Sequence, residues 1–314
     1  MTPTISFEER LLDELVRAHK EMQRKAPHHR RSVALVGVAA AVAAVLVGQG
    51  VGLFGSSAPA SAAVQTLKKL AKVAQSDAVT STFMPGTYAF VQSQGINEWA
   101  DNTEPGHGFV AEVPYSEERW LGYDGSGRIV DTYASTGYNF PTQQDYENWV
   151  ASGKPSPANS DDSYSAGQLA LTQDGIDELT LPADPKAIMQ VVQSHIAAGI
   201  GTARLPYAEF QIIGDLLFNS VEKPTVRVGL FTVAESIPGL VYNGTVSTPS
   251  GTKGEGISLV NPISGHSIEL IFDPTSASLV GKETWATGAS GEKTLINWSS
   301  YSTSMITASD AQAN

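Results

Sequence analysis

Residues 32–54, SVALVGVAAAVAAVLVGQGVGLF, run 23 positions without a charge, and no charged residue follows until Lys68. At about 1.5 Å per residue, a helix of that length covers the roughly 30 Å hydrocarbon core of a bilayer. The stretch is entered through His28, His29, Arg30 and Arg31 and lacks a comparable basic flank on its far side. The positive-inside rule therefore predicts a cytoplasmic arm at 1–31, a transmembrane helix at 32–54, a tether at 55–61 and an extracellular domain at 62–314. A cleaved signal peptide is the rival reading, because Ala58-Pro59-Ala60 and Ala60-Ser61-Ala62 both have the small residues of a cleavage site. Secretory apolar regions are usually about 7–15 residues long behind a short leader. The longer run here, behind 31 residues, favours an uncleaved anchor in the plasma membrane.

Composition fits export. Residues 1–31 hold 7 of the 20 Lys and Arg and 5 of the 32 acids, so the remainder carries 13 basic against 27 acidic residues. A domain of that charge repels nucleic acid, and nucleic-acid partners are excluded. With no cysteine, the outer domain has neither disulfides nor thiolate metal sites and must be held by a hydrophobic core.

From Ile5 to Met22 the apolar residues Leu11, Leu12, Leu15, Val16, Ala18 and Met22 recur at three- and four-residue spacing among charges, the pattern of an amphipathic helix. Ser6 and Glu9 resemble its capping box. A helix lying on the inner leaflet is the plainer account. The sharper one is a docking face of Leu11, Leu12, Leu15 and Met22 for a cytoplasmic or membrane protein partner.

Beyond the tether, helical spacing predicts a helix over 62–75, and alternation predicts a strand over 87–94. Residues 119–123 and 128–133 flank Asp124-Gly125-Ser126-Gly127 as a hairpin. Residues 135–180 read as a long connection or edge decoration with one short helix near 143–150. Asp184-Pro185 is an N-cap followed by a proline suited to the first helical position, and places Ile188, Val191, Val192, His195 and Ile196 on one face. Two more helices are expected at 208–219 and 224–236. Alternation then predicts strands near 240–247, 254–260, 267–272, 278–286 and 293–298 with short turns, an antiparallel meander. The expected fold class is α+β: a single transmembrane helix, then an extracellular curved antiparallel sheet with helices packed on one face.

The segments LPADPKAI (181–188), AEFQIIGDLL (208–217), PTVRVGLFTVAESIPGL (224–240) and ELIFDPTSASLVG (269–281), in that order behind an Arg-flanked span, resemble an uncharacterised single-span envelope protein family of high-GC Gram-positive bacteria. Many of its members are encoded beside extracytoplasmic-function sigma factors. The family usually has Thr-Gly after Asp-Pro-x, where this chain has Ser276-Ala277. More distantly, the outer domain resembles the lipoprotein-carrier and sigma-regulator superfold, which implies an open half-barrel with an apolar concave face. No catalytic or ligand residue comes with either resemblance.

Motifs for chemistry are sparse. Ser290-Gly291-Glu292-Lys293 matches S-x-x-K but precedes a strand instead of opening a helix, and its companion motifs are missing. His195 reads as a buried neutral imidazole on an apolar face. Asp161-Asp162 and Asp174, Asp177 and Glu178 lack a calcium-loop pattern and read as solvated acids. No cofactor or metal is expected. Trp120 and Trp285, on expected strands, are the candidates for lining a concave ligand groove, against ordinary sheet packing. These features predict a non-enzymatic, membrane-anchored envelope binding or sensor protein linked to sigma-factor signalling. The alternative is a tethered lipid or lipoprotein carrier with an apolar groove.

Overall fold

A computed structural model describes residues 61–77, 84–101, 108–169, 176, 180–196, 202, 205–219, 223–288 and 291–307. The expected arm, span and nearly all of the tether lie outside the described residues. Among those described, no helix is long and apolar enough to cross a membrane.

The chain builds a helix α1 (Ala62–Asp77), then strands β1 (Thr87–Asp101), β2 (Phe109–Gly122) and β3 (Gly127–Tyr133), helix α2 (Gln143–Ala151) and strand β4 (Ser160–Tyr164). Helices α3 (Pro185–His195), α4 (Leu205–Asn219) and α5 (Pro224–Ala234) follow, then strands β5 (Val241–Ser247), β6 (Lys253–Val260), β7 (Ser267–Phe272), β8 (Leu279–Thr287) and β9 (Lys293–Thr307). All strands join one open antiparallel sheet in the order β4-β3-β2-β1-β9-β8-β7-β6-β5. It is therefore two meanders, β1–β4 and β5–β9, fused where β1 pairs with β9 from Thr87↔Thr307 to Ile96↔Trp298.

The helices share one face, as expected. Ala63, Leu67, Leu70 and Ala74 form the buried stripe of α1 at helical spacing. On α4 the buried residues include Phe210, Ile212, Ile213, Leu216 and Leu217, and α5 is buried along most of its length. They close over Ile257, Leu259, Ile268, Leu270, Phe272 and Leu279 of the C-terminal meander. Phe231 meets Phe272 edge-on at 5.5 Å. Gly214 lets α4 lie on β7, since a Cβ there would stand 2.9 Å from the Leu270 side chain. The helix caps follow the sequence: Asp184 accepts the Ala187 N–H and Pro185 opens α3, and Thr142 and Asp145 form a capping box on α2.

Several expectations are corrected. β1, β2 and β9 run well beyond their expected ends, because Asn97, Glu98, Pro114 and Glu117 break the apolar alternation that marks a half-buried strand. β4, SDDSY, falls within the expected connection or edge decoration; it is a solvated edge strand with no apolar face to announce it, and it pairs with β3. His195 is exposed, not buried, with Nδ1 2.8 Å from the Val191 carbonyl, because the core-facing stripe of α3 is Ile188 and Val192. Ala277 stands at φ 54, and its N–H donates to the Asp273 carbonyl, closing the turn into β8.

The seam between the meanders is tight at one point. Gly95 opposes Ser299 on β9 and Tyr115 on β2, and a Cβ on Gly95 would stand 2.0 Å from the Trp298 carbonyl oxygen. That neighbour is backbone of a paired strand and cannot rotate away. Gly95→Ala is expected to lower unfolding free energy by at least about 2 kcal/mol in denaturant titration; an unchanged midpoint would contradict the close approach.

Candidate functional site

Strand side chains alternate between faces, so one set of positions in the N-terminal meander faces the same side as the helices. Ser93 and Asn97 of β1, Tyr115, Glu117 and Arg119 of β2, and Ile129, Asp131 and Tyr133 of β3 form this set. Asn297, Ser299 and Tyr301 of β9 and Lys282 of β8 continue it across the seam. Helix α4 bounds the other side with Gln211, Asp215 and Phe218, at the i, i+4, i+7 spacing of one helical face. Together with Leu169 they enclose a cleft of about 470 Å³, within the size range of small-molecule sites.

Two rungs of cross-strand neighbours make its floor. One runs Lys282, Ser299, Gly95, Tyr115, Tyr133. The next runs Tyr301, Ser93, Glu117, Asp131, Ser160. Tyr115 Oη and Ser299 Oγ lie 2.6 Å apart across the seam. Lys282 Nζ donates to Asp215 Oδ1 at 2.5 Å, tying the sheet to α4. Phe218 of α4 packs on Tyr301 with ring centroids 4.5 Å apart. At the far wall, Arg119 Nη2 donates to the Leu169 carbonyl at 3.1 Å. The turn carrying Leu169 is itself held on the β2–β3 hairpin, by Gly167 N–H to Asp124 O and Leu169 N–H to Gly125 O.

Burial dominates the electrostatics. It pushes the Tyr115 phenol up to about 12 and the Tyr301 phenol well above its ordinary range. Both therefore stay protonated donors at neutral pH. Burial also raises Glu117, against the lowering pull of Arg119, and the neighbouring Asp131 raises it further. Asp131 is raised by burial and by Asp162, partly offset by the Ser160 hydroxyl that donates to it at 2.9 Å. The site offers paired carboxylates beside protonated phenols, while both basic side chains are already engaged by the protein.

The apolar concave face implied by the superfold resemblance is thus replaced, in this cleft, by a mostly polar one. Trp120 and Trp285 do not meet there; they lie on the opposite face of the sheet. Trp120 is buried against Phe90 at 5.0 Å, under the Arg128 guanidinium at 5.4 Å, beside a small hollow of about 200 Å³. Trp285 Nε1 donates to Glu283 Oε2 at 3.0 Å. The docking residues Leu11, Leu12, Leu15 and Met22 lie outside the described residues. Asp161 is bound by Arg128 through Nε at 2.7 Å and Nη2 at 2.8 Å. The S-x-x-K lysine, Lys293, opens β9 behind a turn at Gly291. Sequence reasoning missed the cleft because Tyr115, Glu117 and Arg119 are interleaved with Ser116 and Glu118, so neither face of that strand reads as inside. The one available signal was Gly95, a glycine within an otherwise regular strand, which marks close backbone approach.

No family model matches the chain, and no curated protein matches it.

A second acidic pair lies on the opposite face. Glu269 of β7 and Glu283 of β8 are cross-strand partners, both buried, with Asn243 Nδ2 donating to Glu269 at 2.8 Å. Burial, then the Glu269 charge, push Glu283 up to about 7, against the lowering Trp285 hydrogen bond. Between its ordinary value near 4.5 and about 7, the folded form keeps a proton that the unfolded chain has released. Stability therefore falls as pH rises through that window and levels off above it. Glu283→Gln is expected to stabilise the protein at pH ~8, by on the order of 2 kcal/mol, and to have little effect at pH ~4. Equal effects at both pH values, read by thermal melts, would contradict the assignment.

Proposed function

We propose that this protein is a non-enzymatic, membrane-anchored binding protein of the cell envelope, whose outer domain takes a small polar ligand in the cleft between α4 and the N-terminal meander. The observation that carries this reading is the lining of that cleft. Carboxylates, phenols and amides converge there on a volume of about 470 Å³, in a domain whose main hydrophobic core packs between the helices and the C-terminal meander. A lipid carrier needs the reverse, since each buried acyl CH₂ contributes about 0.8 kcal/mol only against apolar walls. The phenols, held above their ordinary range, serve as donors to a ligand and are poor bases at neutral pH.

The anchor comes from the uncharged run 32–54 and its one-sided basic flank. A small-molecule signal passing inward would use residues 5–22, with oligomerisation or a partner completing the coupling, because a single span carries no rigid-body push. The link to sigma-factor signalling rests on the family resemblance.

Gln211 is an exposed α4 residue at the cleft edge, so Gln211→Trp fills the site while leaving the core intact. A thermal-shift screen of the full chain in detergent against sugars, amino acids and organic ions is expected to give one class that raises Tm. Gln211→Trp is expected to abolish that shift without lowering its own Tm. No stabilising solute, together with a lipid-sized adduct in native mass spectrometry, would overturn the proposal in favour of a carrier.

A further inference from the structure

Charge balance within the cleft narrows the ligand class. Its acids are Glu117, Asp131 and Asp215, and its bases are Arg119 and Lys282. Lys282 is spent on Asp215, and Arg119 on the Leu169 carbonyl as well as on the field at Glu117. The remaining carboxylates, Glu117 and Asp131, are direct cross-strand neighbours on the cleft floor, an arrangement in which like charges oppose each other. Asp162 adds to the repulsion from β4. A bound positive charge would relieve it.

The adjacent rung supplies a second recognition element. Tyr115 and Tyr133 are cross-strand partners with ring centroids 6.3 Å apart and planes tilted by 31°. They sit two residues from Glu117 and Asp131 on the same strands and the same face, so a cation over the carboxylates also lies beside aromatic rings, whose faces attract it. Among the described residues no group of three or more His, Asp or Glu could hold a metal ion. A ligand that spreads its charge over an organic ammonium fits better: it is large enough for the volume and apolar enough for the rings.

Resting on the reading that this cleft binds a small polar ligand, we infer that the ligand is an organic cation, its ammonium held by Glu117 and Asp131 against Tyr115 and Tyr133. The outer domain's acidic balance of 27 acids to 13 bases raises the local concentration of such ligands.

Isothermal titration of the full chain in detergent, with choline and cadaverine as probes, tests this directly. At least one probe is expected to bind, and the uncharged tert-butyl isostere of choline is expected to bind at least about tenfold more weakly than choline. Glu117→Gln and Asp131→Asn, which keep side-chain shape, are each expected to weaken binding by about tenfold or more while melting normally; two variants guard against a folding defect in one. Equal binding of the isostere, unchanged binding in both variants, or a response to calcium alone would overturn the inference. Binding of a neutral sugar instead, blocked by Gln211→Trp, would sink the organic cation and leave the polar cleft standing. A lipid adduct with no polar ligand would sink both.

Discussion

The register of β1 on β9 is the constraint on which the rest of the structure depends. Each flanking meander follows from local alternation and short turns, but neither alone makes a site. The cleft needs Tyr115, Glu117 and Asp131 from one meander and Lys282, Ser299 and Tyr301 from the other on the same face. A slip of one residue at the seam would turn every one of the first group to the opposite face. The contact of Gly95 with the Trp298 carbonyl fixes that register sterically, and the Tyr115–Ser299 hydrogen bond one strand away fixes it chemically.

Helix α4 then sets the depth of the cleft. Its apolar side, Phe210, Ile213, Leu216 and Leu217, is anchored in the core, which leaves Gln211, Asp215 and Phe218 pointing at the sheet's polar half. The Lys282–Asp215 pair and the Phe218–Tyr301 contact are where core and cleft meet. Both lie at the seam side, so the open side is bounded by the N-terminal meander and the Leu169 turn. The far face of the C-terminal meander is closed differently. The β5–β6 turn folds back over it, with Ser250 Oγ donating to Ser300 Oγ at 2.8 Å and Thr248 close above Gly281. With the helices over one face and this turn over the other, all six residues of β7 are buried, and Glu283 of β8 is buried as well.

The elements that could be read from the sequence are those whose burial is one-sided. The stripe of α1, the capping Asp184, and the alternation of β5 and β8 each state an inside and an outside, and the structure has them within a few residues of where the sequence predicts them. The unread parts are two-sided. β2 carries polar side chains into the cleft and apolar Trp120 onto the other face, so composition gives no direction. β4 is exposed on both faces and looks like a loop until β3 pairs with it. Trp120 and Trp285 lie on the sheet face away from the cleft, and aromatic residues serve ordinary sheet packing as well as ligands: Trp120 packs on Phe90, and Trp298 is a fully buried neighbour of the seam. A polar site formed from two distant meanders leaves little local signature beyond Gly95, since its two halves meet only through the β1–β9 pairing.

Because the chain has no cysteine, that pairing can be measured directly by disulfide cross-linking. Gln92 and Ser302 are cross-strand partners at the seam, close enough for a disulfide, whereas Gln94 and Ser302 are diagonal neighbours at a spacing that disfavours one. The double variant Gln92→Cys with Ser302→Cys should cross-link readily in the folded protein under mild oxidation, and Gln94→Cys with Ser302→Cys should not. Cross-linking of the second pair in preference to the first would mean a register shifted by two residues, which moves Tyr115, Glu117 and Asp131 about 7 Å along the seam from Lys282, Ser299 and Tyr301 and breaks up the cleft described here.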